Sequence, residues 1–205
     1  MRHVVLGLTL NYFEVFGLPR RLDIDGAELQ RRFYELSRRY HPDFHHGASS
    51  EEQARALDAS ARLNAAYRAL RDPIARVEYL VRLEEGRETR EGAIVKPQAP
   101  PELLTEMFEI QEALTEARTG VLDDATRQTL RKQRDRLRER HAQEEARLAG
   151  ELSRAWDAAD AAQRPAVLQA FKASLATRAY LRTVIADLGE ALDEEQGAHA
   201  AHRRD

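Results

Sequence analysis

The stretch Tyr40-His41-Pro42-Asp43 sets the strictest limit on how this chain can fold. Ahead of it, residues 25–39 carry apolar side chains at Leu29, Phe33 and Leu36, and Tyr40 continues the series. Steps of four, three and four residues put these side chains on one stripe of an α-helix. Pro42 has no amide hydrogen to donate and pushes His41 out of helical backbone geometry, so the helix must stop here. Beyond it, residues 44–49 read as loop, and a second helix begins at Ser49 or Ser50. A short polar tripeptide, stiffened by its proline, is thereby displayed at the tip of a helical hairpin.

The rest of the chain supports an all-α reading. Of 205 residues, 33% are charged and 42% hydrophobic, with few glycines and prolines, the make-up of an all-helical soluble protein of one or two domains. The net charge of -3 gives no global attraction to nucleic acid or to an anionic membrane, so any electrostatic function rests on local patches. There is no cysteine, which excludes disulfides and any thiolate ligand for a metal or iron–sulfur cluster. No run is long enough to cross a bilayer. The apolar residues 4–10 read as an extension or an added packing segment rather than a signal peptide, because no small-residue cleavage site follows.

Taken in order, Asn11 and Glu14 form a capping box for a short helix ended by Gly17 and Pro19, with Phe13, Phe16 and Leu18 facing a core. Asp25 and Glu28 repeat that box for the helix before the tip, whose other faces carry Arg31, Arg32, Arg38 and Arg39. Ser50 and Gln53 open the next helix. One of its rows holds Leu57, Ala61, Asn64 and Ala65, another Leu63, Tyr67 and Leu70, and Asp72-Pro73 ends it. A short helix from 74 to about 83 carries Val77, Leu80 and Val81. Residues 85–101, rich in glycine, proline and charge, read as a linker.

Three helical segments follow, an antiparallel three-helix bundle over 102–196. The first runs over 101–119. The second starts after Asp123 or Asp124 and carries Leu130, Leu137, Leu148, Leu152 and Trp156, with polar gaps at Arg134 and His141. The third starts near Pro165, an acceptable first-turn position, and carries Leu168, Phe171, Leu175, Leu181, Ile185, Leu188 and Leu192. Residues 197–205 read as a disordered polar tail.

The His41-Pro42-Asp43 tripeptide between two helices resembles the signature of the J-domain. The opening Tyr12-Phe13-Glu14-Val15-Phe16-Gly17-Leu18-Pro19 and the later Leu63-Asn64, Ala66-Tyr67, Leu70, Asp72-Pro73, Arg76 and Tyr79 match its flanking helices. Arg76-Val77-Glu78-Tyr79-Leu80, together with the acidic-apolar helix after Pro101, narrows the resemblance to the HscB group, J-type co-chaperones of iron–sulfur assembly. It covers nearly the whole chain, strongly over residues 1–83 and more loosely beyond.

That resemblance implies an L-shaped all-α protein with a J-domain over 1–84, a linker and a client-binding bundle. It implies no resident cofactor and no enzymatic activity of its own; the lack of an Arg- and Ser-rich leader favours a cytoplasmic location. Its partners would be an HscA/DnaK-class ATP-driven chaperone and an IscU-like scaffold protein for iron–sulfur clusters. His41, Pro42 and Asp43, with the basic residues Arg31, Arg38 and Arg39, would meet the chaperone, Asp43 offering its carboxylate to a cationic group there. On the helix after Pro101, Leu103, Met107, Ile110 and Leu114 form an anchoring stripe. Leu104 and Phe108 lie about 100° away around the helix, with Glu109, Glu112 and Glu116 beyond them.

An apolar pair rimmed by carboxylates suits protein binding. The resemblance assigns client contacts to Leu104, Thr105, Phe108, Glu109, Glu112, Glu116 and Tyr180. Thr105 departs from the family, where a larger apolar residue is usual. Three alternatives stay open: a J-domain protein with a different client, a metal-dependent hydrolase using His41, Asp43, His45 and His46, and a helical scaffold with no chaperone role. The second lacks any other cluster with ligand spacing in the sequence.

Overall fold

The computed structural model describes residues 10–41, 47, 49–86, 108, 110, 112, 115 and 123–202, of which 193–202 as backbone alone. Residues 1–9, most of the linker at 87–100 and most of the helix expected at 101–119 lie outside this set. Every regular element among the described residues is helical. The chain divides into two compact units, Met1–Glu91 with Leu148–Leu168, and Gly92–Arg147 with Gln169–Asp205.

The first unit starts with α1, Tyr12–Val15. Asn11 and Glu14 close the expected capping box, at 3.1 Å from Glu14 N to Asn11 Oδ1 and 2.9 Å from Asn11 N to Glu14 Oε2. Gly17 then takes the left-handed conformation, φ 61°, which needs a residue without a β-carbon. α2, Gly26–Tyr40, is capped by Asp25, which accepts from Ala27 N and Glu28 N. The second half of the expected box is absent: the Glu28 carboxylate turns to Arg31 and Arg32 instead of back to the Asp25 amide. α3, Ser50–Arg71, opens one residue earlier than the Ser50–Gln53 pairing implies, on a full box between Ser49 and Glu52. α4, Pro73–Glu84, has Asp72 as its cap and Pro73 in its first turn.

Leu29 on α2, Leu63 and Leu70 on α3, and Val77 and Leu80 on α4 are buried with Phe13 and Phe16. Each such aliphatic side chain is worth about 1.5–3 kcal/mol of transfer free energy. The buried face of α3 is Ala56, Ala59, Leu63, Ala66 and Leu70. The expected row of Leu57, Ala61, Asn64 and Ala65 is instead the outer side of the helix, with Leu57 60% exposed. Alanines give a weak hydrophobic signal in sequence, but their small size lets neighbouring helices approach closely. Phe33 and Tyr67 stack across α2 and α3, centroids 4.1 Å apart. Tyr79 stacks on Tyr12 at 4.3 Å and accepts its amide hydrogen at 2.8 Å, tying α4 to α1.

The long helix expected after Asp124 is three pieces: α5, Asp124–Arg147; a π-helical segment, Leu148–Leu152; and α6, Ser153–Ala158. Leu148, Leu152 and Trp156 are all buried along this stretch. Ser153 Oγ donates to Leu148 O at 2.6 Å, satisfying a buried carbonyl there. Sequence order assigns 148–168 to the bundle, but these residues pack with the N-terminal unit: α4 contacts the π-helical segment, and Asp157 bonds to the loop before α2.

The second unit has a core of Ile110, Leu130, Leu137, Leu181, Val184, Leu188 and Leu192, drawn from the 108–115 stretch, α5 and the last helix. α7 is Arg164–His202; it has Pro165 in its first turn as expected, and it continues past Gly197, where the sequence suggests disorder. Asp123 caps α5, accepting from Thr126 N at 2.7 Å. Polar ties that join α5 to α7 include Ser174 Oγ to Glu144, and Arg178 Nε to Glu145 at 2.8 Å.

Candidate functional site

α2 ends at Tyr40, and His41 follows in extended geometry, φ -66° and ψ 128°, as a residue before proline requires. Pro42, Asp43, Phe44, His45 and His46 lie outside the described residues, so the tip is approached from its two sides, α2 and α3. Among the described residues no three His, Asp or Glu side chains are grouped to hold a metal. Nor is any helix of the described residues long and apolar enough to cross a membrane.

The four arginines of α2 separate by their neighbours. Arg32 is drawn inward: its Nε donates to Glu28 at 2.6 Å and its Nη1 to Phe16 O at 2.6 Å and Gly17 O at 3.1 Å. It is structural, closing the turn after α1. Arg31 and Arg38 stay at the surface, Arg31 61% exposed and paired with Glu28. Exposed pairs of that kind contribute about 0.2–1 kcal/mol, so exchanging Glu28 for a partner's carboxylate costs little. Arg39 is exposed, with its guanidinium 5.5 Å from the Tyr40 ring centre.

Arg31 and Arg38 flank Tyr34, one turn away on either side, and Tyr34 is 57% exposed. With Ala27, Gln30 and Glu35 they line an open hollow of about 440 Å³. Tyr34 is absent from the sequence-derived site. Its signal was available: it sits one residue, about 100°, off the Leu29–Phe33–Leu36 stripe, which aims an aromatic ring toward solvent.

On the second unit, Phe108 is 75% exposed while Ile110, two residues on, is fully buried. Two residues turn a helix by about 200°, so Phe108 and Ile110 lie on different faces, one bare and one buried. Glu112 is exposed one turn after Phe108. Leu104, Thr105, Glu109 and Glu116, and the stripe residues Leu103, Met107 and Leu114, lie outside the described residues. Tyr180 differs from Phe108: it is half-buried against the bundle core, and burial, then the Asp187 charge, push its hydroxyl above the ordinary tyrosine range.

Comparison with known proteins bears on both units. Residues 11–79 match the DnaJ domain, and residues 99–166 match the HSCB C-terminal oligomerisation domain. Among solved structures the chain is similar to chaperone HscB from Vibrio cholerae, at 26% identity and a TM-score of 0.58, over 92% of this chain and 99% of that one. It shares its fold with human co-chaperone protein HscB, at 21% identity and a TM-score of 0.57, over 93% of this chain and 84% of that one.

Proposed function

We propose, on the premise that this chain is an HscB-like J-domain co-chaperone, that it stimulates the ATPase of an HscA/DnaK-class chaperone and delivers an iron–sulfur scaffold protein to it. The observation that carries this reading is one chain holding two exposed surfaces of different chemistry on separate units. Tyr34 between Arg31 and Arg38 leads up to the His41-Pro42-Asp43 tip, and bare Phe108 stands opposite buried Ile110.

In this reading the first surface docks by charge. Arg31, Arg38 and Arg39 attract an acidic face of the chaperone and raise the encounter rate. His41, Pro42 and Asp43 then act at contact: Pro42 holds Asp43, and its carboxylate binds a cationic group on the chaperone better in one conformation than the other. Only such differential binding can shift the chaperone toward hydrolysis. The protein is thus a regulator of a partner's ATPase. The second surface holds the scaffold protein by burying Phe108 and Leu104, with Thr105 and Tyr180 beside them, while Glu109, Glu112 and Glu116 form a polar rim.

The test is steady-state ATP hydrolysis by an HscA/DnaK-class chaperone, alone, with this protein, and with an IscU-like scaffold added. The wild-type chain should stimulate turnover and the scaffold should stimulate it further. Asp43→Ala should abolish stimulation while scaffold binding, measured by calorimetry, stays at its wild-type value. Full stimulation by Asp43→Ala would reject the mechanism.

A further inference from the structure

Asp157 occupies a position that its own helix does not favour. It lies in the last turn of α6, where the partial negative charge of the helix end opposes a carboxylate, and its side chain is only 6% exposed. Burying a charge there is unfavourable unless donors replace the lost water. The donors come from residues about 135 positions earlier in the chain. Leu22 N donates to Asp157 Oδ1 at 2.8 Å and to Oδ2 at 3.1 Å, and Asp23 N donates to Oδ2 at 2.8 Å. Arg21 Nε lies 3.9 Å away.

The other side of the same loop is also held. Arg76, a buried arginine of α4, donates from Nη1 to Leu22 O and from Nε to Leu70 O. Its burial disfavours the charged form, and Asp72, Asp23 and Asp157 oppose that effect, so Asp157 helps to keep this guanidinium charged as well. Leu22 therefore has its amide fixed by α6, its carbonyl by α4 and its side chain buried at 4% exposure. Asp25, three residues on, caps α2. The direction in which α2 leaves this loop, and with it the placement of Tyr34, Arg31 and Arg38, depends on that fixture.

We propose that Asp157 is a positioning residue for the chaperone-facing helix, and that residues 148–168, although the HSCB C-terminal match runs through residue 166, work as part of the N-terminal unit. The proposal deepens the function argued above and rests on it for its kinetic test alone. Without the carboxylate, the Leu22 and Asp23 amides lose their acceptor and α2 is no longer held in one direction. The tip keeps its chemistry, because Asp43 is unchanged, but it docks from a wider spread of orientations. Such a change lowers apparent affinity without lowering the rate at saturation.

The experiment uses the full chain with Asp157→Ala and Asp157→Asn. In the first arm, amide hydrogen exchange at Leu22 and Asp23 should accelerate roughly tenfold or more in Asp157→Ala, the ratio that corresponds to ~1.4 kcal/mol. In the second, the concentration giving half-maximal ATPase stimulation of the chaperone should rise several-fold while maximal stimulation is retained. Asp157→Asn keeps one oxygen acceptor and should shift both readouts in the same direction by less. It carries the comparison if Asp157→Ala loses its helical circular dichroism. Unchanged exchange at Leu22 and Asp23 overturns the clasp. Faster exchange with an unaltered half-maximal concentration overturns the positioning role. If the wild-type chain gives no stimulation at all, the co-chaperone reading itself fails, and the exchange arm still decides whether Asp157 holds the loop.

Discussion

Arg31 and Arg32 are neighbours in sequence with opposite duties. Arg32 satisfies two carbonyls left open where α1 gives way to Gly17, whereas Arg31 meets the carboxylate of Glu28 at the surface. Arg32→Ala should therefore lower stability by about 1–3 kcal/mol, since it strips acceptors of a charged donor. Thermal unfolding would detect it. Arg31→Ala and Arg38→Ala should leave stability within about 0.5 kcal/mol of wild type. They should instead slow association with the chaperone, an effect that shrinks as salt is raised. Equal unfolding temperatures for Arg31→Ala and Arg32→Ala would contradict this division. Sequence pattern alone made these side chains one basic face, because periodicity gives an angle around a helix but not what stands beside it. The same limit hid Asp157, which has no local signal and acquires its role only through a loop about 135 residues away.

Among the helices, what was legible followed from short-range chemistry. The Asn11–Glu14 box, the stop at Pro42, the Asp72 cap and the two faces at Phe108 and Ile110 all depend on residues within a turn of one another. The errors came where two local solutions compete. Ser49 and Ser50 are both acceptable caps, and Glu52 decides for Ser49 by returning its carboxylate to the Ser49 amide at 3.0 Å. Ser49→Ala should thus cost about 1 kcal/mol, and Ser50→Ala, inside the first turn, much less. A chemical denaturation series on the two variants measures the difference. The π-helical segment, which packs on α4, had no signature in the hydrophobic periodicity. On the client side, Phe108→Ala combined with Leu104→Ala should weaken scaffold binding by about 2 kcal/mol or more, as for anchor side chains at an interface. ATPase stimulation in the absence of scaffold should be unchanged; calorimetric titration at wild-type affinity would remove the site.

For the molecule as a whole, the decisive question is which unit owns residues 148–168. Sequence order places them in the bundle, because a helix carrying Leu130 and Leu137 continues through Leu148 and Leu152 to Trp156. Packing places them with the N-terminal residues, because α4 and the Leu22 loop supply their contacts. The chain contains a single tryptophan, and it lies in this segment, 1% exposed. Arg164 stands over its ring at 5.2 Å. Tryptophan emission in the folded protein therefore reports on one unit alone. In a denaturant titration, the emission change should coincide with loss of amide protection at Leu22 and Leu80, and should be independent of protection at Leu137 and Leu188 in the bundle core. The comparison is informative because two units joined by covalent segments need not unfold together. Asp157→Ala should move the emission midpoint to lower denaturant while leaving Leu188 protection in place. Should the emission change instead track Leu137 and Leu188, the segment would belong to the bundle energetically, and the J-domain would be complete without it.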